Sequence, residues 1–265
     1  MIKFFRKIRQ NLLSEGKTGK YLKYALGEII LVMIGILLAL QVNNLNELRK
    51  SKQAKSTYID RLINDLKADT TAFSFHIKNV QSKANDGKYI MSVINENKTI
   101  VNNKVFVLRL QNIGRVNVPR KANNTFLDLQ SSGNLKLFNN DSIVNTIRSY
   151  YITEVEFWFA RYVERTTEGY LPIVTDVLPF RIGEEIINSE IKQDPTLKPL
   201  LKYENYDVSV LDGDVELIIE KINNQSNFDF HLKNGTRAHL LQLRILRESY
   251  NQANELIKLL KDYKK

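Results

Sequence analysis

The sequence predicts an all-α fold class, with one N-terminal transmembrane helix followed by an extracytoplasmic helical bundle domain. One observation is a run of twelve residues, 29–40, that contains no polar side chain. A second is that apolar residues recur at spacings of three and four through most of the remaining chain, which is the period of an amphipathic helix. The third is that neither an internal repeat nor an alternation of strand and helix patterns is present.

The apolar run is long enough to cross a bilayer when its flanks are included. Residues 25–44 provide twenty positions, and twenty residues at about 1.5 Å each match a hydrocarbon core of roughly 30 Å. The Leu, Ile and Val residues of the run offer roughly 3–5 kcal/mol of insertion free energy, more than the cost of about 3 kcal/mol for the Glu28 carboxylate. A cleaved signal peptide and a buried core helix are the alternatives, and the long basic segment before the run disfavours both.

Basic residues are concentrated before the apolar run. Residues 1–24 hold seven Lys or Arg and one acidic residue, whereas charges of both signs are interspersed through 45–265 in a chain of net charge +10. The excess of Lys and Arg next to the apolar run therefore indicates how the chain is oriented in a membrane. We expect the lipid bilayer, and no nucleic acid, as a partner. Fewer cations follow the run closely, so we predict a cytoplasmic N terminus, an inner-membrane location and a periplasmic helical domain over 45–265.

The first 24 residues have the pattern of a short amphipathic helix. Apolar side chains recur at Ile2, Phe5, Ile8 and Leu12, and the basic ones lie largely off that stripe. Such a helix lies on an anionic membrane surface, and the residues expected to contact that surface are Lys3, Arg6, Lys7 and Arg9. The alternative is a basic tail that only sets the topology.

Several further helices are expected after the apolar run. One follows it directly, with possible breaks near Asp69 and Asp86, and a turn-rich connector surrounds Pro119 and Gly133. Asp141 is placed to cap the next helix, and the prolines of "LPIVTDVLPF" end it. A shorter helix covers "IGEEIINSEI", and a long amphipathic helix closes the chain. Together these helices suggest an antiparallel bundle.

Two stretches of the sequence resemble a known family. "GKYLKYALGEIILVMIGILLALQVNNLNELRK" and "FLDLQSSGNLKLFNNDSIVNTIRSYY" are similar to motifs of an uncharacterised family of Bacteroidota single-span membrane proteins, defined only as a domain of unknown function. The resemblance implies a helical extracytoplasmic domain on one span, and it implies no activity. The chain departs from the family at Leu45, where a Trp is common, and so lacks an aromatic anchor at that membrane interface.

Glu28 shares one helical face with small residues. Counting by three and four from Glu28 leads through Val32 to Gly35 and Ala39, a small-xxx-small pair that permits close helix approach. We therefore interpret Glu28, Gly35 and Ala39 as a candidate face for self-association or for a protein partner. The alternatives are that the Glu28 carboxylate snorkels to the lipid headgroups without a specific role, or that it relays protons.

The rest of the sequence carries no signature of catalysis, and we expect no catalytic residue, no metal site and no cofactor. The chain has no cysteine and three scattered histidines, which removes thiolate chemistry and the usual zinc spacings. The acidic "LDGDVEL" stretch lacks the further ligands of a calcium loop and is interpreted as a helix start. We therefore predict a membrane-anchored binding, sensing or scaffolding module that is not an enzyme. The alternatives are a subunit of a larger membrane complex assembled through the Glu28 face, and a hydrolytic enzyme.

Overall fold

The computed structural model describes residues 18–115, 118–152, 155–192 and 202–264, and all of their regular structure is helical. The α-helices are α1 Thr18–Glu96, α2 Asn103–Ile113, α3 Asn124–Ser131, α4 Asp141–Ile152, α5 Val155–Glu164, α6 Leu171–Val177, α7 Phe180–Lys192, α8 Asp212–Asn224 and α9 Phe228–Lys264. Short 3-10 turns cover Asn134–Phe138 and Tyr203–Asn205, and a π-helical turn covers Arg165–Tyr170. The all-α prediction is confirmed for these residues.

Contacts divide the chain into two units, Met1–Thr57 and Tyr58–Lys265. In the first unit, the described residues belong to α1 and expose their apolar side chains, including Leu45 and Leu48. The second unit contains the packed core, which begins at Ile59 on α1.

The core of the second unit follows an antiparallel pairing of α1 with α9. One apolar cluster joins α1 residues 59–66 to α9 residues 253–260, a second joins 73–80 to 243–246, and a third joins 90–93 to 228–232. Polar contacts keep the same order, since Lys264 Nζ lies 2.5 Å from Asp60 Oδ1 and Asn95 Nδ2 donates to Asp229 Oδ1 at 2.9 Å. The shorter helices complete each cluster around this pair.

Helix α1 does not break near Asp69 or Asp86, so that expectation is wrong. It continues to Glu96, and both carboxylates are buried. Aspartate weakens a helix when its side chain bonds the local backbone. Here each carboxylate accepts hydrogen bonds from other parts of the chain, so it does not compete with the helical bonds of α1.

Two other local expectations are corrected. Pro172 lies in the first turn of α6, which directly follows the π-helical turn Arg165–Tyr170, so this proline does not end the helical segment. The connector around Pro119 and Gly133 contains α3, whose Phe126 and Leu129 enter the core. The acidic helix start is confirmed at α8, where the Leu211 N–H donates to Asp214 Oδ2 at 2.9 Å.

Candidate functional site

The apolar segment and the helical unit hold different candidate sites. Within the described residues, one helix is long and apolar enough to cross a membrane by length and composition, with a mean hydropathy of 2.4 in its most apolar window. None of that window is buried. On it, Gly35 and Ala39 are exposed and Glu28 is half-buried. Lys3, Arg6, Lys7 and Arg9 lie outside the described residues.

In the second unit, α1 ends in a turn that folds the chain back over its last residues. Asn97 has a φ of 55°, in the left-handed region that asparagine tolerates. The Lys98 N–H donates to the Ser92 carbonyl at 3.1 Å, which holds the turn against the last residues of α1. The Lys98 ammonium consequently lies 5.5 Å from the centroid of the Tyr89 ring.

Helix α2 brings a second cation to the same tyrosine. The Asn102 side chain caps α2 by accepting from the Val105 N–H at 3.0 Å. Arg109 and Asn112 are three residues apart and therefore share one side of α2. The Arg109 guanidinium carbon lies 4.4 Å from the Tyr89 ring centroid and 5.7 Å from that of Tyr203.

A buried carboxylate lies beneath these groups. The side chain of Asp86 is 4% exposed, and its Oδ2 accepts from Asn112 Nδ2 at 2.6 Å and from the Tyr203 hydroxyl. Burial raises the pKa of Asp86, while the bonds from Tyr203 and Asn112 and the charge of Arg109 oppose that rise. We call this set the Arg109 cluster, formed by Asp86, Tyr89, Lys98, Arg109, Asn112 and Tyr203.

The guanidinium of the Arg109 cluster has unused hydrogen-bonding capacity. Its Nε lies 3.8 Å from Asp86 Oδ1, too far for a hydrogen bond, and is buried without a partner. The Arg109 side chain is 30% exposed, so part of the group faces solvent. Asn112 Oδ1 is also buried without a partner. The cluster therefore presents a positioned cation whose guanidinium makes no hydrogen bond to the part of the chain that the structure describes.

A second polar cluster joins α1 to α9. His239 is fully buried, with Nε2 2.8 Å from the Ile113 carbonyl oxygen and Nδ1 3.2 Å from Gln242 Oε1. Burial, together with the charge of Lys83, lowers the pKa of His239 to about 4 against the opposing effect of its hydrogen bonds. Lys83 Nζ donates to the Arg115 carbonyl at 2.7 Å, and burial lowers the pKa of Lys83 to about 8. Lys83, His239 and Gln242 are all buried in the core.

A third polar cluster fastens the connector after α2 to α1. Asp69 Oδ1 accepts from the Ala122 N–H at 2.7 Å, and its Oδ2 accepts from the Tyr150 hydroxyl at 2.7 Å. Asp65, one turn earlier, accepts from the Thr125 N–H at 3.2 Å near the start of α3. Burial raises the pKa of Asp69, and the hydrogen bonds from Ala122 and Tyr150 oppose it. This cluster organises the backbone around α3.

The aromatic residues proposed for the core or for a pocket are core where the structure describes them. Tyr150 and Phe159 are buried in separate apolar clusters. A groove of about 330 Å³ lies beside Tyr150, between α4 and α9, and is lined by Thr146, Ser149, Tyr150, Gln252, Glu255, Leu256 and Leu259. No group of His, Cys, Asp or Glu side chains suited to a metal ion occurs within the described ranges.

Residues 28–152 match a family of unknown function, DUF6090. The match covers slightly less than half of the chain and begins at Glu28, so it includes the apolar segment, Asp69 and most of the Arg109 cluster. No curated protein matches the chain, and no solved structure matches it. The chain is thus an all-α protein with one apolar helix of membrane-spanning length, similar over residues 28–152 to a family whose function is unknown.

The sequence did not point to the Arg109 cluster. Its members come from α1, the turn after it, α2 and the Tyr203–Asn205 turn, and no local spacing relates them. The available signal was weak, namely an arginine within the apolar run of α2 and an aspartate within the apolar stripe of α1. The structure places Glu28, Gly35 and Ala39 along one helix in the spacing that the sequence predicts, in the first unit.

Proposed function

We propose that the protein is a single-span inner-membrane protein whose helical unit is a binding or sensing module outside the cytoplasm. The apolar segment supports the anchor, because its side chains have no protein cover among the described residues and match a bilayer in length. The excess of Lys and Arg before the segment supports a cytoplasmic N terminus, with residues 45–265 in the periplasm.

The observation that supports the binding role is that Arg109 makes no hydrogen bond to the described residues. A buried or half-buried guanidinium normally spends its donors on a carboxylate or on carbonyl oxygens. Arg109 instead contacts two tyrosine rings and makes no hydrogen bond to the described residues, although it is adjacent to a buried acid. We infer from this that its donors serve a bound molecule, and that the unit binds rather than catalyses.

Labelling of single cysteines tests the anchor and its orientation, because the natural chain has none. We would introduce Ser14→Cys before the apolar segment and Ser142→Cys on the exposed side of α4, and treat spheroplasts of a Gram-negative host with a membrane-impermeant maleimide. We expect Ser142→Cys to react in intact spheroplasts and Ser14→Cys to react only after lysis. The reverse pattern would refute the orientation, and release of the protein by alkaline carbonate would refute the anchor.

A ligand screen tests the binding role. The full-length protein in dodecyl maltoside would be screened by thermal unfolding against a library of charged and neutral solutes. We expect at least one solute to raise the melting temperature of the wild type but not of Arg109→Gln. Arg244→Gln is the matched control, because Arg244 lies exposed on α9 and pairs with Glu248 one turn away. A library without any Arg109-dependent solute would contradict the proposal.

The second candidate function is that of a subunit in a larger membrane complex. It is favoured by the Glu28 face, where a Cβ added to Gly35 would meet no atom within 4 Å. Close helix approach through Gly35 and Ala39 would bury this face against a partner helix. We expect Gly35→Leu and Glu28→Gln to reduce crosslinking in native membranes, with Met33→Leu on another face as the control. Unchanged crosslinking in both variants would refute this candidate.

A further inference from the structure

We propose that the Arg109 cluster binds a small solute through an oxyanion group, either a carboxylate or a phosphate. This inference rests on the binding role proposed above and names the chemistry of the ligand. It follows from the position of one guanidinium, from its distance to the neighbouring acid, and from a second cation at the same aromatic ring.

The Arg109 guanidinium lies against two tyrosine rings and near one carboxylate. Tyr89 and Tyr203 lie within 4.4 and 5.7 Å of its carbon, and Nε is the nitrogen that approaches Asp86. Aromatic contacts of this kind fix the plane of an arginine and leave its N–H donors available at the edge. A planar fork held in this way matches the two oxygens of a carboxylate or phosphate.

Asp86 does not satisfy Arg109. An arginine that neutralises a buried carboxylate commonly forms two parallel hydrogen bonds of about 2.7–2.9 Å with it. Here the pair is 3.8 Å apart, and the more crowded oxygen of Asp86 already accepts from Asn112 and from the Tyr203 hydroxyl. Asp86 therefore orients Tyr203 and attracts the guanidinium without occupying its donors.

Lys98 adds positive charge at the same ring. The turn at Asn97 directs Lys98 back to Tyr89, so that this ring contacts both Lys98 and Arg109. Among the described residues, no carboxylate lies within the 4.0 Å ion-pair distance of Lys98. Two cations at one tyrosine, with one buried acid that is already hydrogen-bonded, produce a local excess of positive charge that favours an anion.

The ligand is small because the accessible part of Arg109 is small. The Arg109 side chain is 30% exposed, so a ligand can reach only part of it. A terminal carboxylate or phosphate is small enough to bind there, next to the two tyrosine rings.

The test uses the full-length protein in dodecyl maltoside, a detergent without phosphate or carboxylate. Inorganic phosphate and succinate would be titrated by calorimetry at constant ionic strength, with sodium chloride as the compensating salt. We expect saturable binding of at least one probe to the wild type. Affinity should fall at least tenfold in Arg109→Gln, partly recover in Arg109→Lys, and fall severalfold in Lys98→Gln. Arg244→Gln should bind as the wild type does.

Each remaining outcome has a defined meaning. Equal affinity in the wild type and Arg109→Gln, or no saturable binding of either probe, would overturn the oxyanion proposal. If the screen then finds a neutral solute whose binding depends on Arg109, the binding role remains supported. If it finds no solute that depends on Arg109, the binding role and the oxyanion proposal are both refuted. Far-UV circular dichroism checks folding of each variant. If Arg109→Gln does not fold, Lys98→Gln and Arg109→Lys decide the question, since an oxyanion site requires both to weaken binding.

Discussion

Asp69 accepts a hydrogen bond from the Tyr150 hydroxyl at 2.7 Å, which joins α1 to α4 within the core of the second unit. The other oxygen of the carboxylate accepts from the Ala122 N–H, also at 2.7 Å. One acidic side chain thus fixes a connector and a helix that are 53 and 81 residues away in sequence, respectively. Burial of a carboxylate is costly unless it is hydrogen-bonded in this way.

Replacement of Asp69 should therefore be strongly destabilising. Asp69→Ala leaves a half-buried N–H and a buried hydroxyl without an acceptor, and we expect it to lower the free energy of unfolding by about 3 kcal/mol. Tyr150→Phe removes only one donor and should cost about 1 kcal/mol. Urea unfolding of the full-length protein in detergent, followed by circular dichroism, measures both. Asp65→Ala serves as the control, because Asp65 accepts a single, longer hydrogen bond from the Thr125 N–H. An equal loss of unfolding free energy in all three variants would contradict the role proposed for Asp69.

His239 should make the fold sensitive to acid. Its pKa is lowered to about 4 in the folded protein, against 6.5 for an ordinary histidine. Between these values the unfolded chain binds a proton that the folded chain does not, so the stabilisation present above pH 6.5 is lost as the pH falls towards 4. We expect this residue alone to lower the free energy of unfolding by about 2 kcal/mol from pH 7 to pH 5.

The comparison with His239→Gln isolates this effect. Asp69 and Asp86 have raised pKa values and change the stability in the opposite direction, but they are present in both proteins. The difference in unfolding free energy between wild type and variant should therefore change by about 2 kcal/mol between pH 7 and pH 5. A difference that is the same at both pH values would show that His239 does not titrate as described.

Gly87 should not tolerate alanine, although it lies within a helix. Gly→Ala in a helix ordinarily stabilises by up to about 1 kcal/mol. A Cβ at Gly87 would overlap the side chain of Thr236 on α9, including its Cβ and Cγ2 at 2.9 Å. We expect Gly87→Ala to cost about 1–3 kcal/mol in urea unfolding through this overpacking.

Two further variants test whether contact with Thr236 causes the loss of stability in Gly87→Ala. Gly183→Ala on α7 meets no atom within 4 Å and should be neutral or stabilising. Thr236→Gly combined with Gly87→Ala should be more stable than the sum of the single changes predicts. Additive effects would indicate that the two helices do not approach closely at this point.

Asp214 should stabilise the start of α8. Its carboxylate accepts from the Leu211 N–H at 2.9 Å and from Arg181 at 2.8 Å. The first bond caps the start of α8, and the second joins α8 to α7. We expect Asp214→Ala to lower the free energy of unfolding by about 1 kcal/mol. Glu216→Ala, an exposed neighbour in the same helix, should change it by less than about 0.5 kcal/mol. Similar losses in both variants would argue against a specific cap.

Some of the helix boundaries could be predicted because they depend on neighbouring residues. The start of α4 is displaced by one residue from the expectation, because Asn140 and not Asp141 caps it by accepting from the Ile143 N–H at 3.1 Å. The acidic start of α8 follows from local capping chemistry. Pro172 was misjudged because a proline near a helix boundary suits a first turn as well as an end. The continuity of α1 through Asp69 and Asp86 was missed because their hydrogen-bond partners are distant in sequence.

The sequence by itself determined the helical class of the protein, the apolar segment of membrane-spanning length and the unequal distribution of basic residues, since each depends on composition or on a short period along the chain. Only the tertiary structure decided that Arg109, Tyr89, Asp86 and Tyr203 meet, and that His239 is buried against Ile113. The reason is physical. Helical periodicity indicates which side of each helix is apolar, whereas the partners of a buried polar group are set by how distant helices pack together.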